Sequence, residues 1–117
     1  MTSLRDEFQD EDYRYAYAQS FLNTQLAVQI KTLREQRGLT QAEVARRMAI
    51  TQPGYCRFED VNHSVWKTDL LWNIARALGV RLDIRFTTFG TLLQDRKHLD
   101  ALQLPAFEDD PVWRRLP

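Results

Sequence analysis

Apolar and polar positions alternate along the chain in more than one rhythm, and each rhythm predicts a different element. In the first third, apolar side chains recur at Tyr13, Tyr17 and Phe21 and at Leu22, Leu26, Ile30 and Leu33. These three- and four-residue steps mark one face of an amphipathic helix. They predict a long first helix over residues 10–36, with Asn23 and Thr24 as the place where side-chain competition for backbone hydrogen bonds could interrupt it. The Tyr13, Tyr17 and Phe21 stripe reads as packing surface rather than a ligand site. Gly38 is the stop, because glycine takes the left-handed conformation after a helix without steric cost.

Three shorter helices follow. Thr40 with Glu43 three residues later forms a capping box, so a second helix starts there and runs to about Met48, burying Val44, Ala45 and Met48. Ala49 and Ile50 make a short turn. Thr51 caps a third helix, with Pro53 accommodated in the first turn because its missing N–H needs no partner there; this helix buries Tyr55 and Phe58. After a polar stretch at 60–64, in which His63 reads as a loop residue, Thr68 reads as another N-cap. The fourth helix then places Leu71, Ile74, Ala75 and Leu78 on one face and ends at Gly79.

Beyond Gly79 the period drops to two. Leu82, Ile84 and Phe86 alternate with Arg81, Asp83, Arg85 and Thr87, the pattern of a half-buried strand. No second strand is evident, and an unpaired strand exposes a row of backbone donors and acceptors. Its simplest partner is the same strand of a second copy, which predicts a two-fold dimer through an antiparallel ribbon. Residues 91–104 suggest a short helix with Leu92, Leu99 and Leu102, and residues 105–117 an acidic, aromatic tail laid over a surface. The expected organisation is an acidic start and helical extension over 1–30, a helical domain over 31–79, a dimerisation strand over 80–90 and a tail over 91–117.

A chain of 117 residues suits one modest core. No apolar run approaches the ~20 residues that span a bilayer, and residues 1–12 lack the basic start and apolar stretch of a secretory signal, so the expected location is the cytoplasm. Cys56 has no second cysteine to pair with, and His63 and His98 do not complete a zinc set; neither a metal nor any other cofactor is expected. The formal net charge is zero, but it is unevenly spread. Residues 1–12 carry five acids against Arg5, whereas residues 31–81 carry nine bases against five acids. The middle of the chain is where an anionic partner would bind.

That middle segment also carries a resemblance. The string LREQRGLTQAEVARRMAITQPGYCRFE at 33–59, followed by TDLLWNIARALGV at 68–80, resembles the Cro/phage-repressor helix-turn-helix regulators, also called the XRE type. The resemblance implies a mostly α, five-helix, lambda-repressor-like DNA-binding domain, here with a long N-terminal helix and the dimerising β-strand as additions. It further implies that residues 40–59 enter the major groove of double-stranded DNA and that the third helix reads bases through Gln52, Pro53, Cys56 and Arg57. Gln41, Arg46, Arg47, Thr51 and Lys67 correspond to phosphate contacts, and Leu82, Ile84 and Phe86 would hold the dimer. Three residues depart from the family pattern: Gly54 where a side chain is common, Tyr55 in place of a small aliphatic residue, and Cys56 where serine is frequent. These departures leave the base preference open.

The function expected is a sequence-specific transcriptional regulator, a repressor acting as a homodimer on a partly palindromic operator. The alternative is an antitoxin or other interaction module that binds a cognate toxin through its terminal extensions and regulates its own operon. An enzyme is not expected, since no nucleophile, base and orienting carboxylate form a recognisable set. Cys56 is a minor candidate for a redox switch, and Glu108, Asp109 and Asp110 for a phosphate-mimicking patch.

Overall fold

The computed structural model describes residues 3–98 and 102–117. Among the described residues, seven α-helices follow one another: α1 (Leu4–Glu7), α2 (Glu11–Gln36), α3 (Gln41–Arg47), α4 (Gln52–Cys56), α5 (Thr68–Leu78), α6 (Leu92–Lys97) and α7 (Pro111–Arg114). Short 3-10 turns occupy Arg57–Glu59, Phe89–Thr91 and Phe107–Asp109. Among the described residues there is no strand.

The helix boundaries follow from local chemistry. Asp10 accepts from the N–H groups of Asp12 and Tyr13 and starts α2. In the box that starts α3, Thr40 Oγ1 accepts from the Glu43 N–H at 3.1 Å, and Glu43 Oε1 accepts from the Thr40 N–H at 3.1 Å. Thr51 Oγ1 accepts from the Gly54 N–H at 3.1 Å, which starts α4 with Pro53 in its first turn. Gly38 and Gly79 follow α2 and α5 with φ of 67° and 75°, the left-handed geometry expected after a helix. The turn between α3 and α4 needs the same geometry and takes it at Ala49, with φ of 58°.

The core gathers Ile30 and Leu33 from α2, Val44, Ala45 and Met48 from α3 and its end, Tyr55 and Phe58 from α4 and the turn after it, and Ile74, Ala77 and Leu78 from α5. Trp66 packs against this cluster and against His63, whose ring lies 4.5 Å away edge-on. The loop between α4 and α5 is thereby fixed to the core rather than left as a free polar segment.

Several expectations change. α2 runs unbroken through Asn23 and Thr24; the helix-propensity cost of two such residues is a fraction of a kcal/mol each. Thr68 is the first residue of α5 and not its cap, a position held by Lys67 without a side-chain hydrogen bond. The four helices expected up to Gly79 are α2 to α5, four rather than five in the domain, and the short helix expected after residue 91 is α6; α1 and α7 are additional. The helix after residue 91 ends at Lys97, so Leu102 lies beyond it, and Leu99 lies outside the described residues.

The strand expected from Leu82, Ile84 and Phe86 is not formed in the single chain. Backbone groups of residues 81–88 find no hydrogen-bond partner among the described residues, and a ladder needs a second extended segment. The expected half-burial fails with it: Ile84 is 65% exposed and Phe86 is fully exposed.

The two ends pack onto the helical body. Phe8 meets Tyr17 edge-on at 5.2 Å and Tyr13 at 6.0 Å, so these two residues of the aromatic stripe pack within the chain, and Tyr15 meets Phe89 at 5.2 Å. The tail crosses the end of α5: the Arg37 guanidinium donates to the carbonyls of Leu78 and Leu104, and the Phe107 N–H donates to the Gly79 carbonyl at 3.0 Å.

Candidate nucleic-acid interface

A reading helix needs its first residues exposed and its orientation fixed, and α4 meets both conditions. Its anchor is Tyr55, which is wholly buried. The ring belongs to the core cluster and meets Phe58 edge-on at 6.0 Å, and the hydroxyl donates to Glu59 Oε2 at 2.6 Å. The hydroxyl accounts for one departure from the family pattern, since a small aliphatic residue at 55 could not make this bond.

Glu59 is the hub. Its side chain is only 5% exposed, a costly position for a charge unless it is paired and fully hydrogen-bonded. Arg34 supplies a bidentate clamp, Nε to Oε2 at 2.6 Å and Nη2 to Oε1 at 3.0 Å. Gln41 Nε2 adds a bond to Oε1 at 3.2 Å. Burial alone would raise the Glu59 carboxyl, but the hydrogen bonds from Arg34, Tyr55 and Gln41 outweigh it and hold the group below the usual carboxylate value. The bond to Glu59 raises Arg34. Tyr55 is pushed far up, first by burial and then by the bond to Glu59. The ionised Glu59, cationic Arg34 and neutral Tyr55 are therefore the forms that fold together.

This hub reaches the surface through two glutamines. Gln41, fixed by Glu59, accepts at Oε1 from Gln52 Nε2 at 2.8 Å. The first residue of α3 and the first of α4 are thus joined side by side, with Gln52, Pro53 and Cys56 exposed along α4. The Gln52 amide keeps its carbonyl and one N–H for an external partner, as a bidentate contact to adenine requires. Arg57 lies just past α4, where Nε donates to the Gly54 carbonyl at 3.2 Å and the guanidinium sits 5.7 Å from the Phe58 ring. Both of its terminal nitrogens remain available. Thr51 caps α4, and a Cβ added at Gly54 would lie 3.0 Å from the Thr51 hydroxyl oxygen, so glycine suits this tight start.

The expected phosphate contacts divide. Gln41 and Thr51 stand at the N-termini of α3 and α4, where backbone N–H groups and the helix dipole favour an anion. Arg46 is exposed at the far end of α3. Arg47 is also exposed and donates through Nη1 to the Ala77 carbonyl at 3.0 Å near the end of α5. Lys67 is exposed at the start of α5. The sequence reading missed Arg34, Glu59 and Tyr55 as the residues that orient this surface. The only signal was an arginine on the inner face of the first helix and an acid just past the third.

Two short helices joined by a tight turn, the second presenting its N-terminal residues, define a helix-turn-helix module. The chain belongs to the helix-turn-helix domain family, whose family model matches residues 25–85, more than half of the 117. No curated protein and no solved structure matches the chain. The matched span opens within α2 and extends past α5, so it takes in the residues that brace the module as well as the module itself. Among the described residues, no helix is long and apolar enough to cross a membrane.

Proposed function

We propose that this chain is a sequence-specific DNA-binding transcriptional regulator of the Cro/phage-repressor type, acting in the cytoplasm as a homodimer on a partly palindromic operator. The observation that carries the reading is the chain of bonds from Arg34 through Glu59 and Gln41 to Gln52. It fixes an exposed amide in place before any ligand arrives, and pre-organised polar groups lose less freedom on binding. Gln52 and Arg57 take the base edges, with Pro53 and Cys56 beside them, while Gln41, Thr51 and Lys67 position the phosphates.

A monomer of this size presents one reading helix. Two copies would place their helices about 34 Å apart on one face of the duplex. The unpaired segment with Leu82, Ile84 and Phe86 is the surface proposed for that pairing, and repression by covering a promoter is the simplest outcome. Binding-site selection from a random DNA pool tests the reading. Enrichment of an inverted repeat with half-sites one helical turn apart supports it; recovery of no common sequence contradicts it.

A second reading, an antitoxin-like module with a protein partner, draws on the tail, where Phe107, Val112, Trp113 and Leu116 are exposed. Co-purification of a stoichiometric second chain from the native host would favour it.

A further inference from the structure

We infer that two copies pair through residues 81–87 in one register, antiparallel about a two-fold axis at Ile84. This rests on the homodimer reading above and adds to it the alignment that the side chains select.

The segment is placed and equipped for such pairing. It leaves α5 at Gly79, and both Gly79 and Val80 already use their backbone groups: Val80 N–H donates to the Ala75 carbonyl at 3.0 Å, and the Gly79 carbonyl accepts from Phe107 at 3.0 Å. From residue 81 to 88 the backbone has no partner among the described residues. Arg85 Nη2 lies 3.3 Å from Asp83 Oδ2 within the chain. The acid and base therefore share one side of the segment, and the two-residue period of a strand puts Leu82, Ile84 and Phe86 together on the other.

Charge complementarity then separates the registers. With the axis at Ile84, Asp83 of each copy faces Arg85 of the other, Leu82 faces Phe86, and Ile84 faces itself. This gives two opposite-charge pairs on one face and three apolar pairs on the other. An axis at Asp83 sets acid against acid and Arg81 against Arg85. An axis at Arg85 sets base against base. Like charges directly opposite destabilise a pair of strands, whereas opposite charges and apolar pairs stabilise it. An axis at Leu82 would pair Arg81 with Asp83, but its ladder would need residues 79 and 80, which are already bonded, and would leave Phe86 uncovered.

A two-stranded ribbon with one apolar face is not stable alone and needs a surface to rest on. The structure has one beside it: Val80, in step with Leu82, Ile84 and Phe86, packs against the hydrophobic core. In the Ile84 register the second copy's Phe86 stands opposite Leu82, one pleat from Val80. The second copy is thus the occupant of the free backbone and the cover for the exposed Ile84 and Phe86.

The test is charge exchange between copies, read by analytical ultracentrifugation of the full chain, with circular dichroism to verify folding. Asp83→Arg and Arg85→Asp are each expected to weaken the dimer about tenfold or more, because each creates two like-charge pairs. An equimolar mixture of the two should recover wild-type affinity as a one-to-one heterodimer, since every pair is then opposite in sign. On a Cys56→Ser background, Ile84→Cys should cross-link under mild oxidation and Arg81→Cys should not. If the wild type is a dimer but Arg85→Asp has no effect, or the mixture recovers nothing, this register is wrong while the homodimer reading stands. A wild type that stays monomeric at concentrations where it saturates its DNA site overturns both.

Discussion

Gln52 donates to Gln41 across 2.8 Å, and through that bond the exposed first residue of α4 is tied to a carboxylate in the core. Gln41 is bonded in turn to Glu59, which Arg34 and Tyr55 hold. The arrangement separates two roles that a mutation can tell apart. Gln52 faces solvent and would touch DNA, whereas Glu59 touches only protein and would act on DNA through the position of α4.

Removing the hub should cost stability. Glu59→Ala leaves Arg34 half-buried and Tyr55 fully buried without their common acceptor. Breaking one partner of a buried, hydrogen-bonded ion pair costs about 3–5 kcal/mol. Urea unfolding followed by circular dichroism should show a loss of that order, and a loss below about 1 kcal/mol would mean that the network does not organise the core.

Stability should also follow pH in two windows. The folded-state pKa of Glu59 lies below its ordinary value of 4.5, so the unfolded chain binds the extra proton and the contribution is present above about pH 4.5 and lost as pH falls through the folded value. Glu43 is lowered in the same direction by its bonds to Thr40. Tyr55 is raised from 10.0, so its contribution is complete below pH 10 and lost as pH rises above it. Thermal melts across pH should show both slopes. Glu59→Gln should flatten the acid slope, and Tyr55→Phe the alkaline one.

Ala49→Gly should stabilise the protein. Ala49 sits at φ 58° in the turn between α3 and α4, a conformation that costs an L-residue about 1–2 kcal/mol. Glycine avoids that cost but loses about 0.5–1 kcal/mol of chain entropy on folding. The net gain should be about 0.5–1 kcal/mol by chemical denaturation, with DNA affinity unchanged.

The opposite outcome is expected at the end of α5. Gly79 combines φ of 75° with the close approach of the tail, where an added Cβ would lie 3.1 Å from the Ala106 Cβ. Gly79→Ala should therefore cost about 1–2 kcal/mol and loosen the tail, seen as faster proteolysis between residues 104 and 117. A variant as stable and as resistant as the wild type would contradict this account of the tail.

The features legible in the sequence are those set by neighbours within about four residues. The Thr40 and Glu43 box, the Thr51 cap, and the stops at Gly38 and Gly79 all follow from local backbone chemistry, and together with the apolar spacing they place the helix-turn-helix. Arg34 and Glu59, 25 residues apart, could not be matched that way, because their meeting depends on how α2 packs against the turn after α4. The same holds for Arg37 and Leu104, whose bond lays the tail across α5. Thr68 misled because a cap-forming residue type was present while the chain turned one residue earlier. The alternation at residues 81–87 predicts a half-buried strand that does not form, because a pattern supplies no partner, and within one chain none of the described segments provides it.

Fluorescence-anisotropy titration tests the central claim most directly, with labelled DNA from upstream of the coding sequence set against a scrambled duplex over a salt series, for the wild type and for Gln52→Ala and Arg57→Ala. The account predicts preference for the upstream DNA, a steep loss of affinity with salt, and a loss of about 1–3 kcal/mol in discrimination for each variant whose side chain reads a base, with folding intact. Equal, weak binding to both duplexes by all three proteins would contradict it.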